Sequence, residues 1–488
     1  MKPTLRATSA QRFGRCPSWL IAVLLLSGCA AVGPDYAAPE LAIPATWQGA
    51  PAARVTVAPT APEALATWWR QLDDPTLTGL IEQALQTSLD LRAAQAKLRE
   101  SRAHRTLAGA ELFPTVSGAA AGRRVKASGE SSGGGAVDQF STGFDASWEL
   151  DVFGGLRRGV EAAQANLEAS QASLHAIQVS LVAEVGLNYV EWRASQAALD
   201  IARANAASQA ETLQLTQWRA QAGLTSALDV EQARANLEQT RAQIPSLETS
   251  RAEAEYRLAI LLGQQPGALT GRLTQPGGIP GVPARVTVGI PADTLRQRPD
   301  VRVAEHTLAA ETAWIGVVEA QAYPNFSLSG SLGLEALTLG TLANGSAVVG
   351  SVLGSVAVPI FDAGRIRQQV EIQTAIQELA LVNYQSTVLN ALAEVENALI
   401  ALANTRQRQN NLRAALQAAR LAAQLARHRY SAGLIDFQTV LDTERTVLTV
   451  EDKLALSEAD HVKALIQLYK ALGGGWSPAS ANDSAANL

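Results

Sequence analysis

Sulfur is scarce in this chain, with two cysteines, Cys16 and Cys29, and a single methionine in 488 residues. One thioether speaks against a relay for Cu(I), whose usual ligands are soft sulfur atoms. Charge is thin too, at 17% of residues, with a formal net of −5. There is no basic stripe with an aromatic platform beside it, which excludes nucleic acid as a partner. The five histidines (His104, His175, His306, His428, His461) are scattered, with no carboxylate or cysteine at ligand spacing. They therefore assemble no metal centre. Walker and dinucleotide glycine patterns are missing, so any energy-requiring work must draw on a partner. No catalytic constellation emerges, and the chain reads as a non-enzyme without a bound cofactor. Past the N-terminus no uncharged segment reaches the roughly 20 residues of a membrane helix. A membrane crossing would have to use strands.

The N-terminus reads as a secretion signal over residues 1–28. Lys2, Arg6, Arg12 and Arg15 give the positive region, and Trp19 to Leu26 a short apolar core. The core ends in Leu26-Ser27-Gly28-Cys29, which resembles a bacterial lipobox. Cleavage before Cys29 would leave it carrying an N-acyl chain and an S-diacylglycerol; the competing reading is an ordinary signal that happens to contain a cysteine. Ala30 in the next position resembles lipoproteins sent to the outer membrane. Removing four basic and no acidic residues takes the formal charge from −5 to −9. Cys29 is then the only cysteine, which leaves no disulfide and no free thiol.

The chain repeats itself. Asp90-Leu91-Arg92 recurs as Asp300-Val301-Arg302, Phe113-Pro114 as Tyr323-Pro324, Arg219-x-x-x-Gly223-Leu224 as Arg429-x-x-x-Gly433-Leu434, and Leu262-Gly263 as Leu472-Gly473. Every pair stands 210 residues apart. Four matches at one offset mark a duplication. The expected organisation is a wrap over 29–75, a first copy over 76–263, a linker over 264–292, a second copy over 293–473 and a tail over 474–488. Pro and Gly without sustained period make the linker, the stretch from Ala37 to Pro62 and the tail after Gly475 loops with little helix.

Within each copy the hydrophobic period changes. Thr76 to Leu112 is helical, with Leu77, Leu80, Ile81, Ala84 and Leu85 on one face. A hairpin follows, over 113–152 in the first copy and 324–361 in the second. Phe140, Thr142, Phe144, Ala146, Trp148 and Leu150 alternate with Ser141, Gly143, Asp145, Ser147, Glu149 and Asp151. Phe326, Leu328, Leu332 and Leu334 alternate with Ser327, Ser329 and Ser331. Such alternation fits a wall between lipid and water; a hairpin half-buried on a soluble core is the other reading. Then come proline-free runs, Gly155 to Gln221 and Gly364 to Ala432, each roughly 100 Å as a helix. Leu167, Leu174 and Leu181, and Leu381, Val388, Val395 and Leu402, fall seven apart, a coiled-coil seam. After an Ala-Gly-Leu turn a shorter helix returns, Thr225 to Leu262 or Ile435 to Leu472. The limbs before the hairpin and after the turn together match one long limb.

Two hairpins give four strands, too few to close a barrel, and an open edge in hydrocarbon leaves backbone groups unsatisfied. The sequence therefore calls for self-association. It resembles the outer-membrane factor family, the TolC-like proteins, and in particular the lipidated, NodT- and OprM-like efflux branch. The likeness rests on Gly28-Cys29 with Gly33-Pro34-Asp35-Tyr36, on Trp68-Trp69 with Asp74-Pro75-Thr76-Leu77, and on Arg298-Pro299-Asp300-Val301. It continues in Pro359-Ile360-Phe361-Asp362-Ala363-Gly364-Arg365 and Tyr469-Lys470-Ala471-Leu472-Gly473-Gly474-Gly475-Trp476. What the resemblance implies is an α+β membrane protein: a homotrimer with a 12-stranded barrel and an antiparallel coiled-coil periplasmic tunnel. It further implies an outer-membrane exit duct for small molecules, working with a periplasmic adaptor and a proton-driven inner-membrane transporter. A duct for secreted polypeptides, and a periplasmic coiled-coil scaffold lipoprotein that never spans the membrane, stand as alternatives.

The resemblance also assigns sites. Gly223, Leu224, Thr225 and Ser226, with Gly433, Leu434, Ile435 and Asp436, match the turns that contact the adaptor. Gln438 and Asp442 match axis-facing gate positions, so that a trimer would carry a ring of three Asp442 carboxylates. Relatives often have an apolar residue where Gln438 stands, so no hydrophobic plug is expected at that level. Arg429 is expected to tie the closed tip to Asp229 of the neighbouring coil. Without the family, Asp442 paired with Arg445 on a solvated face would be the simpler reading.

Overall fold

The computed structural model describes residues 31–58, 62–126, 135–273 and 277–477. Cys29 and the signal segment lie outside the described residues, as does the tail from 478. In chain order the elements are α1 (Ala50–Ala53), β1 (Thr56–Val57), α2 (Pro62–Ala66), a 3-10 turn (Trp68–Leu72), α3 (Pro75–Thr87) and α4 (Leu89–Ala110). They continue with β2 (Thr115–Lys126), β3 (Ala136–Leu150), α5 (Gly155–Gln221), α6 (Ala227–Leu261), β4 (Thr287–Val288) and α7 (Pro291–Gln297). The chain ends in α8 (Pro299–Ala320), β5 (Asn325–Ala336), β6 (Val348–Ala357), α9 (Arg365–Ser431) and α10 (Phe437–Ala471). The two long helices are 67 residues each and the two return helices 35 each. The chain divides into two compact units, one of Met1–Ala38, Ser101–Leu167 and His306–Leu381, the other holding the remainder.

In the first unit the two hairpins join into one antiparallel sheet in the order β2-β3-β5-β6. Pairing of β3 with β5 puts Phe144 opposite Leu332, Trp148 opposite Leu328 and Leu150 opposite Phe326 on one face. The other face sets Asp145 against Ser331 and Glu149 against Ser327. It is stitched by hydroxyl pairs, Ser327 with Ser355 at 2.6 Å and Ser331 with Ser351 at 2.7 Å. Gly143 and Gly333 face each other so closely that a Cβ on Gly143 would stand 2.7 Å from the Gly333 Cα. Among the described residues nothing covers these positions of the apolar face: Val352 is 82% exposed, and Val116, Phe144, Leu332 and Val356 are exposed too. β2 and β6 have one partner strand each, so among the described residues both outer edges of the sheet are unpaired.

The second unit holds the main core. Trp68 stacks on Tyr469 at 5.2 Å between ring centres, with Trp69 edge-on at 6.0 Å. Around them are buried Leu77, Leu80 and Ile81 of α3, Val182, Val185 and Tyr189 of α5, and Leu465, Ile466 and Leu468 of α10. The expected first limb is broken in two at Ser88, and its counterpart is broken at Arg298, again 210 residues on. Pro299 explains the second break, because the residue before proline is held out of the helical region. The first break is tertiary in origin. The Thr87 hydroxyl donates to the Leu262 carbonyl at 2.7 Å, and Arg298 Nη1 to the Ala471 carbonyl at 2.9 Å. Each half-limb thus starts where the return helix of its own copy ends. At that joint Gly263 (φ +67°) leaves no room for a Cβ, which would stand 2.7 Å from the Thr87 carbonyl.

The wrap is tied to the linker. β1 pairs in parallel with β4, and Trp47 Nε1 donates to the Gly289 carbonyl at 2.7 Å. Helix α7 begins inside the segment expected to be linker, because Pro291 is well suited to a first helical turn. By length and composition α9 also passes for a membrane helix, its most apolar 18-residue window averaging a hydropathy of 1.2. Its seam accounts for this, since Val388, Val395, Leu399 and Leu402 are buried within the chain.

Candidate functional site at the helical turns

Both long helices end in the same way. At the first turn the Leu224 N–H reaches back to the Arg219 carbonyl at 2.8 Å, and the Gly223 N–H to Ala220 at 3.0 Å. At the second, Leu434 bonds Arg429 and Gly433 bonds Tyr430, both at 2.9 Å. This is the Schellman arrangement, which requires a left-handed residue after the helix. Gly223 (φ +71°) and Gly433 (φ +75°) supply it. The leucine that follows would ordinarily fold back onto the helix, but Leu224 and Leu434 are exposed.

The return helices are capped firmly. Ser226 and Asp229 form a reciprocal capping box. Asp229 Oδ2 accepts from the Thr225 hydroxyl at 2.5 Å, the Ser226 hydroxyl at 2.9 Å and the Ser226 N–H at 3.1 Å. The Thr225 bond, with help from Ser226, holds the Asp229 carboxyl below the usual carboxylate range. Asp436 caps α10 by accepting from the Thr439 N–H at 2.9 Å and the Thr439 hydroxyl at 2.6 Å. Those two bonds lower its pKa, while the nearby Asp229 charge pushes the other way.

The two turns are joined by a small core of Ala233, Ala426, Tyr430, Phe437, Val440 and Leu441. The duplicated arginines diverge here. Arg219 lies over the Tyr430 ring at 4.6 Å and donates to the Ser431 carbonyl at 3.3 Å. Arg429 is exposed, and among the described residues no ion pair joins it to Asp229, whose Oδ2 serves its own turn. Gln438 Nε2 donates to Asp442 Oδ1 at 3.0 Å, and both side chains are exposed. The simpler pairing of Asp442 with Arg445 is not formed, because Arg445 Nε donates to Asn236 Oδ1 on α6 at 2.9 Å.

Sequence reasoning missed a ladder of ion pairs between α9 and α10. Arg413 pairs with Glu458 at 3.0 Å, Arg420 with Glu451 at 2.7 Å and Arg427 with Glu444 at 3.0 Å. Each rung moves seven residues along one helix and seven back along the other. The heptad spacing of these charges was the available signal.

The first described residues downstream of Cys29 are seated tightly. The Val32 N–H donates to the Phe153 carbonyl at 3.0 Å. Arg158, 5% exposed, donates to the carbonyls of Val32 and Gly33, both at 3.1 Å, to Asp35 Oδ1 at 2.7 Å and to Glu161 Oε2 at 2.8 Å. No group of three or more potential metal-ligating side chains occurs among the described residues.

The model of the outer membrane efflux protein family matches the chain twice, over residues 80–264 and 290–474. Nodulation protein T of Rhizobium leguminosarum bv. trifolii is 32% identical over 460 residues, covering 93% of this chain and 96% of that protein. The toluene efflux pump outer membrane protein TtgI of Pseudomonas putida is also 32% identical, over 471 residues, covering 94% and 98%. Among solved structures the outer-membrane channel OprN superposes with a TM-score of 0.87 at 37% identity, covering 92% of this chain and 100% of that one. The MtrE outer membrane channel of Neisseria gonorrhoeae, in its open state, gives 0.79 at 28% identity, covering 91% and 98%. With both of its copies matched and relatives aligned almost end to end, the chain belongs to the outer membrane efflux protein family.

Proposed function

We propose that three copies of this chain close their sheets into a 12-stranded barrel and form the outer-membrane exit duct of a tripartite efflux pump. The observation carrying this is the four-stranded sheet with two unpaired edges and an uncovered apolar face. In lipid such edges cost several kcal/mol per unsatisfied group, and joining β2 of one copy to β6 of the next removes them all. The serine- and carboxylate-bearing face then lines a water-filled lumen. Cys29 carries the lipid anchor, and the adjoining strap on Arg158 supports an anchorage close to the first unit. Cargo is small molecules such as drugs or toxic compounds.

The duct is passive and its energy comes from partners. Exposed Leu224 and Leu434, with Thr225, Ser226, Ile435 and Asp436, form the surface that a periplasmic adaptor grips, and a proton-driven inner-membrane transporter stands behind it. Gln438 and Asp442 face the axis; three Asp442 carboxylates in a ring favour cations and repel one another unless bridged. Exposed, and with no ion pair among the described residues, Arg429 is available to bridge to Asp229 of a neighbouring copy and hold the tip shut. Asp442→Ala combined with Arg429→Ala should raise single-channel conductance in planar bilayers; unchanged conductance removes the gate assignment.

A further inference from the structure

Near the turn, α10 carries carboxylates on opposite faces. Asp442 and Glu444 are two residues apart, about 200° around a helix. Asp442 is exposed, whereas Glu444 is only 4% exposed. Glu444 Oε1 accepts from the Thr212 hydroxyl of α5 at 2.8 Å and from Arg427 Nε of α9 at 3.0 Å. Arg427 also donates to the Ser208 hydroxyl of α5. Three helices of the two coils therefore meet on one carboxylate directly behind the face assigned to the gate.

One heptad further from the turn the arrangement recurs. Glu451 accepts from Asn205 Nδ2 of α5 at 2.9 Å and from Arg420 of α9 at 2.7 Å. At the third rung Glu458 keeps its arginine, but the matching α5 position is Ala198, which has no polar side chain to offer. At a fourth, Arg406 would face Leu465 and the ladder stops. Within the ladder, bonds to α5 are thus made only at the two rungs nearest the gate; well beyond them Lys463 of α10 pairs with Glu191 of α5.

The node is also incompletely satisfied. Glu444 Oε2 and Gln209 Oε1 are buried acceptors without a hydrogen-bond partner, and both residues line a cavity of about 350 Å3 between α5, α9 and α10. A buried carboxylate holds its partners strongly, yet it carries a desolvation cost that water would relieve. Separation of the coils breaks the Thr212–Glu444 and Arg427–Ser208 bonds, which run to α5, and at the same time hydrates the two unpartnered oxygens. The contact is therefore firm while dry and inexpensive to release once water enters.

We infer that Glu444 is a positioning residue of the gate, a latch that holds the back of α10 to α5 and α9. Asp442 can leave the axis only when the bonds that Glu444 and Arg427 make to Thr212 and Ser208 of α5 open. This rests on the gate reading above. Planar-bilayer conductance of the full-length trimer tests it, with heat-modifiable trimer bands as the check on assembly. Glu444→Gln takes the charge off the acceptor and Thr212→Val removes one of its donors, and each should shift the closed–open balance toward open by on the order of tenfold. Acting on one contact, the double variant should gain no more than the stronger single one, and Thr212→Ser should restore the low conductance. Should the single variants fail to assemble, Thr212→Cys with Glu444→Cys joined by a short thiol cross-linker decides the matter: adaptor must then fail to open the joined channel, and normal opening overturns the latch. Wild-type conductance in both intact single variants, or additive effects, also overturns it. If Asp442→Ala opens the channel while Glu444→Gln does not, the latch alone fails; if neither does, gate and latch fail together.

Discussion

His461 shows how one buried side chain registers the surrounding charges. Its Nδ1 lies 2.9 Å from the Thr405 hydroxyl. Burial, then the positive charges of Arg406 and Arg413, lower its pKa below the ordinary 6.5. The folded protein thus holds His461 neutral, while the unfolded chain takes up a proton more readily. The stability this contributes is complete above about pH 6.5 and is lost as pH falls from there through the lowered folded value. Thermal unfolding in detergent from about pH 8 to about pH 5 should show a falling midpoint, and His461→Gln should flatten that fall. An identical profile in the variant contradicts the assignment. At this scale the sequence was legible only in part. Gly223 and Gly433 announced the turns through their place after the helices, whereas Asp442 is assigned to the gate through resemblance alone. The contacts of Glu444 gave no such signal, because Thr212 and Arg427 stand 232 and 17 residues away along the chain and each looks like an ordinary surface residue.

Among the elements, the long helices were readable to the residue or nearly so. Proline-free runs and a sevenfold seam leave few alternatives, and Gly155–Gln221 runs over the expected span. The hairpins were readable as hairpins, but the pairing of β3 with β5 was not, since alternation fixes which face a side chain takes and not which strand lies beside it. The break at Ser88 was likewise invisible, for it answers to the Leu262 carbonyl rather than to any local signal. Two predictions belong here. Val352→Arg places a charge on the uncovered face of β6 and should cost about 2–4 kcal/mol per copy if it sits near the bilayer midplane. Less trimer should then reach the outer membrane, whereas unchanged yield would mean that face does not meet lipid. Leu224→Asp with Leu434→Asp should abolish adaptor binding in pull-downs while leaving trimer bands intact; retained binding would remove the turns from the docking surface.

For the whole molecule, duplication is the organising fact. One unit of helix, hairpin, long helix and return helix is used twice, and the two copies share a sheet. The two copies differ at the tip: Arg219 braces the turns while its counterpart Arg429 has no ion pair among the described residues. Every element of the sheet is in place except partners for β2 and β6. The account therefore stands on closure between copies. The direct measurement is thiol cross-linking in outer membranes, with one cysteine introduced in β2 and one in β6 and their register scanned. Removal of Cys16 and acylation of Cys29 would leave these as the only free thiols. A ladder of bands that stops at three chains is the predicted result. No intermolecular band in any register, or a ladder running past three, would contradict the account.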